Sequence, residues 1–131
     1  MNSRYGLALI AGALLSLPAS AMAQVAGTWR LNGNIDGKAF AVDCTFAPRG
    51  SQFAGQCVDV STGETKAKPG KVHKLTQGSV QGNEVRWTYP TKVLMMSVDI
   101  DFAGAIEGDR MSGTIAAKGR QGRFSAVRRP A

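Results

Sequence analysis

The chain is poor in the residues on which most enzyme chemistry depends. Its 131 residues include one histidine, His73, and two cysteines, Cys44 and Cys57. With no second imidazole and no thiol left once the cysteines pair, a zinc or copper site would lack ligands, so no metal and no cofactor is expected. A Ser-His-Asp relay would have to run through His73, which sits in the basic stretch Lys71-Val-His-Lys74 with no companion motif. It reads as an exposed strand histidine. No aromatic-basic interleaving or recognised motif points to nucleic acid. No stretch after Gln24 repeats its apolar residues every 3.6 positions, which argues against helices.

What is present begins with an address. Met1–Ala23 has a basic start at Arg4, an apolar run from Leu7 to Leu17 and a small-residue ending, Ala21-Met22-Ala23. This is the layout of a secretory signal peptide with an Ala-x-Ala cleavage site, and the run is too short to span a bilayer. The expected product is residues 24–131, one soluble domain in the periplasm or secreted, where the two cysteines can oxidise. No cysteine follows the cleavage site, so a lipid anchor is not expected. Loss of Arg4 leaves 15 basic against 9 acidic residues, a net charge of +6. The charge is scattered, with a late cluster at Arg120, Arg123, Arg128 and Arg129, as on a solvated surface. Anionic partners such as lipopolysaccharide or an acidic protein stay open.

The rest alternates. Strands are predicted at about Gly27–Asn32, Lys38–Ala47, Gln52–Val60, Lys71–Gln77, Glu84–Tyr89, Val93–Ala103, Arg110–Lys118 and Arg123–Arg128. Phe40, Val42, Cys44 and Phe46 share one face of the second strand. Val85, Trp87 and Tyr89 share one face of the fifth. In the sixth, Leu94, Met96, Val98, Ile100 and Phe102 form an apolar face against Ser97, Asp99 and Asp101. One dry and one wet face on strand after strand implies an antiparallel sheet curled around a core. The expected fold is all-β: a small up-and-down antiparallel barrel of about eight strands, with a sandwich or open sheet as the alternative.

The connections fit. Gly33-Asn-Ile-Asp-Gly37-Lys, Gly78-Ser-Val-Gln-Gly82-Asn and Gly104-Ala-Ile-Glu-Gly108-Asp repeat one pattern, read as recurring hairpin turns. Without a helix to open, these glycines do not form a phosphate loop. Cys44 and Cys57 are symmetric about Gly50-Ser51. A two-residue turn there, closed by Arg49 and Gln52, sets the cysteines opposite one another on a close, non-hydrogen-bonded rung. The same register sets Phe46 against Gly55. A disulfide closing so short a loop stabilises by about 3 kcal/mol in the chain-entropy model.

Gly27-Thr28-Trp29 on the first strand and Arg128 on the last resemble the lipocalin-like (calycin) barrels. That resemblance implies that Trp29 seals the barrel floor and Arg128 packs across its ring. A second resemblance, in size, compartment, Gly-x-Trp and single disulfide, is to the small periplasmic inhibitors of bacterial metalloproteases. Those act through an extended N-terminal trunk, and here only Gln24, Val25 and Ala26 precede Gly27.

Three functions follow in order. First is a non-catalytic binding protein for a small apolar ligand or envelope component at one barrel mouth, its walls drawn from Phe40, Trp87, Tyr89 and Met96. Whether the interior is hollow or packed stays open, since an eight-stranded barrel allows either. Second is a protein–protein module such as a protease inhibitor, using the polar connection Ser61–Gly70. An enzyme comes third, because no acid–base pair can be assigned. Asp99 and Asp101 read as the wet face of their strand. Strict alternation turns Asp59 inward, toward a pocket mouth or a buried arginine, unless a bulge or the strand end intervenes.

Overall fold

The computed structural model describes residues 24–63 and 68–130. The signal segment expected over residues 1–23 lies outside them, as do residues 64–67 of the polar connection. The strands are β1 (Gly27–Ile35), β2 (Lys38–Arg49), β3 (Gln52–Asp59), β4 (Val72–Lys74), β5 (Gln77–Gln81), β6 (Glu84–Val93), β7 (Met96–Glu107), β8 (Arg110–Ala117) and β9 (Arg120–Arg128). They form one sheet ordered β2-β1-β9-β8-β7-β6-β5-β3-β4, and a β2–β3 ladder joins its two sides. The result is a closed antiparallel barrel, up-and-down in topology.

Nine strands make eight staves because β4 and β5 are one stave with a defect. The β3 register runs Gln56↔Lys74 at one point and Gln52↔Ser79 at another, a slip of one residue. Leu75 and Thr76 absorb it as a bulge. Their amides still find partners, Leu75 donating to the Gly55 carbonyl at 3.0 Å and Thr76 to the Thr88 carbonyl at 2.9 Å.

Cys44 pairs with Cys57 across β2–β3, with Arg49↔Gln52 closing the turn and Phe46↔Gly55 between them. The disulfide joins them with both residues fully buried inside the barrel. Around it the middle of the barrel is filled by rings. Trp87 stacks on Phe102 at 4.8 Å and meets Phe46, Phe53 and Phe124 at 5.0, 6.5 and 5.4 Å. Of the open alternatives, hollow or packed, the middle layer is packed.

Three expectations are corrected. Gly78 and Gly82 do not bracket one turn, because Gln77–Gln81 is strand β5 and only Gly82-Asn83 reverses the chain. The leading glycine of each repeated motif lies within a strand and makes room for a ring. A Cβ on Gly33 would come within 2.5 Å of Phe40, on Gly78 within 2.7 Å of the Phe53 ring, and on Gly104 within 2.8 Å of Phe124. Second, β6 does not stop at Tyr89. Thr88 offers its carbonyl to Thr76 on the β5 side. Pro90, two residues on, faces the same way, so its missing N–H takes nothing from the β7 ladder. β6 therefore continues to Val93, and the hairpin turns at Leu94-Met95.

That turn decides the fate of the sixth apolar face. Ile100 and Phe102 are buried and Val98 is half-buried, but Leu94 is 92% and Met96 55% exposed. Met96, expected to line a pocket, sits instead at an exposed hairpin tip. Alternation there continues past the point where the barrel has an interior.

Candidate functional site

The two ends of the barrel are built differently. One end, the base, carries the turns Gly50-Ser51, Gly82-Asn83 and Gly108-Asp109 with the entry and exit of the chain. The other, the mouth, carries Asp36-Gly37, Leu94-Met95, Lys118-Gly119 and the connection from β3 to β4.

The base is sealed. Trp29 and Val25 are 1% and 0% exposed, and the Trp29 indole donates to the Val25 carbonyl at 3.1 Å. The Arg128 guanidinium lies 4.2 Å over the Trp29 ring. Its nitrogens donate to the carbonyls of Ala26 and Gln24, each at 2.6 Å, and to Asp109 at 3.1 Å. Residues more than a hundred positions apart are thus tied under one aromatic floor by charge-assisted bonds and a cation–π contact.

The mouth holds the polar groups. Asp59 ends β3 and His73 is the middle residue of β4, and both turn inward. His73 is 5% exposed, which corrects its reading as an exposed histidine; its register partner is Cys57, itself inward. The His73 Nε2–H donates to Asp59 Oδ1 at 3.0 Å. The carboxylate's partner is an imidazole, not the arginine that alternation left open. Tyr89 stacks on the His73 ring at 4.7 Å. Burial, and secondarily the Asp59 charge, pushes its phenol above the ordinary value of 10, so the hydroxyl stays protonated. The signal that could have found this site is the alternation of Val72 out, His73 in and Lys74 out, read in the disulfide's register. Among the described residues no three His, Cys, Asp or Glu side chains converge.

Three of the proposed wall residues meet near this pair. Tyr89 lies 5.3 Å and Phe40 6.5 Å from Phe102, which stacks on Trp87 one layer deeper. Trp87 Nε1 is buried with no hydrogen-bond partner in the described structure. Phe40, Ile35 and Val98 are only partly buried at the mouth. The fourth, Met96, stands apart on the tip.

A depression of about 890 Å³ lies on the outer wall over the β2–β3 turn and β5–β8, lined by Arg49, Gln52, Gln77, Arg86, Asp101 and Thr114 among others. Thr88 donates to Asp101 there at 2.6 Å. The rings that border it, Phe53, Trp87 and Phe102, are no more than 3% exposed, so it presents a polar surface.

No family model matches the chain, and no curated protein matches it. Solved structures do. A redesigned β-barrel, b11L5F_LGL, superposes with a TM-score of 0.66 at 9% identity, covering 84% of this chain and 96% of that one. A redesigned β-barrel, mFAP1, bound to DFHBI, superposes with a TM-score of 0.62 at 11% identity, covering 83% and 98%. At such identities the likeness is one of fold.

Proposed function

We propose that this is an exported, non-catalytic binding protein that takes a small apolar ligand bearing one polar group at the barrel mouth. The observation that carries this reading is the asymmetry of the ends. The base is closed by Trp29, Val25 and Arg128, whereas Ile35, Phe40 and Val98 remain partly open at the mouth. Apolar surface left beside a buried polar pair is the composition of a ligand site. In this reading the apolar part lies against Phe40, Ile35 and Val98, and the polar group meets His73 and Tyr89. The redesigned barrel that holds DFHBI is precedent for a small molecule in a barrel of this shape.

Export is supported by the composition of Met1–Ala23 and by a disulfide buried in the core, which needs an oxidising compartment. The pairing of Gly27-Thr28-Trp29 with Arg128 supports a lipocalin-like lineage. An inhibitor acting through its N-terminal trunk fits less well. Gln24, Val25 and Ala26 are held beneath the base by Arg128 and Trp29, not presented to a cleft.

Titration with palmitate and with planar aromatic dyes, followed by tryptophan emission, tests this reading. We expect saturable changes that Phe40→Ala weakens about tenfold through lost apolar contact. A flat response across both classes overturns it.

A further inference from the structure

The hairpin tip Val93-Leu94-Met95-Met96 is the structure's least explained feature. Its residues are 50%, 92%, 92% and 55% exposed. Apolar residues so fully in water gain nothing for the folded monomer. Leu94 and Met95 also adopt φ of 50° and 69°, the left-handed region. A two-residue turn of this kind favours Asn-Gly or Asp-Gly, and bulky side chains there are strained. The other two hairpin turns at this end, Asp36-Gly37 and Lys118-Gly119, each place glycine at the second position. The tip is thus doubly unfavourable where a better sequence was at hand.

The tip is also thrust outward. The β6 ladder to β5 ends at Thr88, and the β7 ladder to β8 begins at Asp101. From Tyr89↔Ile100 onward the two strands pair only with each other, up to Val93↔Met96. At about 3.3 Å per residue the ribbon stands roughly 15 Å beyond those ladders.

Charge surrounds it. Lys38, Lys68, Lys71, Lys92 and Lys118 all lie on or beside the connections at the mouth, and Lys74 lies in β4. These are all the lysines among the described residues, and none of them forms an ion pair there. Of the acidic residues described at this end, Asp36 is engaged by Arg120 at 2.8 Å and Asp59 by His73 at 3.0 Å. Asp99 remains exposed on β7.

We infer that the mouth docks on an anionic lipid surface, with Leu94 and Met95 entering the interface and the lysines resting on the headgroups. An apolar projection within a ring of unpaired cations is how peripheral proteins hold such surfaces. Lysines spread over several connections match a broad, continuous negative plane better than the cleft of a single protein. Contact is by the end of the barrel, because its outer wall carries Asp43, Arg86, Asp101 and Arg123. The inference stands without the ligand reading, since it needs only the tip and the lysines.

Flotation of the purified protein with phosphatidylcholine vesicles, with and without phosphatidylglycerol, tests it in the absence of any ligand. We expect binding only where phosphatidylglycerol is present, weakened by added salt. Leu94→Asn combined with Met95→Gly should fold with an unchanged or higher Tm and lose at least about tenfold in partitioning. Lys92→Gln and Lys118→Gln should each lose about fivefold. Wild-type protein that ignores phosphatidylglycerol, or a tip variant that binds as well as wild type, overturns the inference. So does a dimer in solution that the tip variant converts to monomer, since the tip would then seat on a second copy.

Discussion

The base and the mouth are closed by the same number of two-residue turns, yet they use opposite chemistry. At the base, Gly50, Gly82 and Gly108 open the turns with φ of 67°, 63° and 61°. Beneath them Trp29 and Val25 are covered, and Arg128 ties the segment before β1 to the end of β9. At the mouth, one of three turns has no glycine at all. Partly open apolar residues lie around a part-buried Asp59–His73 pair, and lysines ring the rim. The turn glycines and the aromatic floor at the base agree with stability, whereas several choices at the mouth oppose it. Departures from local preference concentrated in one place mark the end under functional selection.

That contrast can be broken by paired substitutions. Trp29→Ala removes a fully buried ring and the platform for Arg128, and should cost about 4 kcal/mol in denaturant unfolding. Phe40→Ala at the half-open mouth should cost about half as much; equal losses would mean the ends are equally structural. Alkaline titration gives the next test. Tyr89 has its pKa raised by burial, so the folded state holds the phenol proton more tightly than the unfolded chain does. Stability from this group is complete below about pH 10 and declines as pH rises further. Tyr89→Phe should flatten that decline in melting curves taken across the alkaline range. The smallest effect is a gain. Leu94→Asn with Met95→Gly should stabilise by about 1 kcal/mol, because both residues then suit the turn.

Much of the barrel was legible in the sequence because local rules were enough. The symmetry of Cys44 and Cys57 about Gly50-Ser51 gave the β2–β3 register, and alternation placed Trp87, Phe102 and Phe46 inside. What was misread depended on neighbours distant in sequence. Gly78 looked like a turn residue because nothing local reveals the Phe53 ring that needs its missing side chain. The fifth strand was expected to stop at Tyr89, yet it runs on through Pro90, because a proline's tolerance depends on which side its nitrogen faces. Met96 continued an apolar alternation whose dry side ran out. His73 looked like surface because its inward turn depends on the register to Cys57 across a bulged stave.

The division of labour between the ends is tested most directly by amide-resolved NMR during titration with a short-chain phosphatidylglycerol. Perturbed amides are expected to cluster at residues 35–40, 59–63, 68–73 and 92–98 while those of Trp29, Gly50, Gly108 and Arg128 stay still. Shifts centred on the base, or on the outer depression around Arg86 and Thr114, would contradict it.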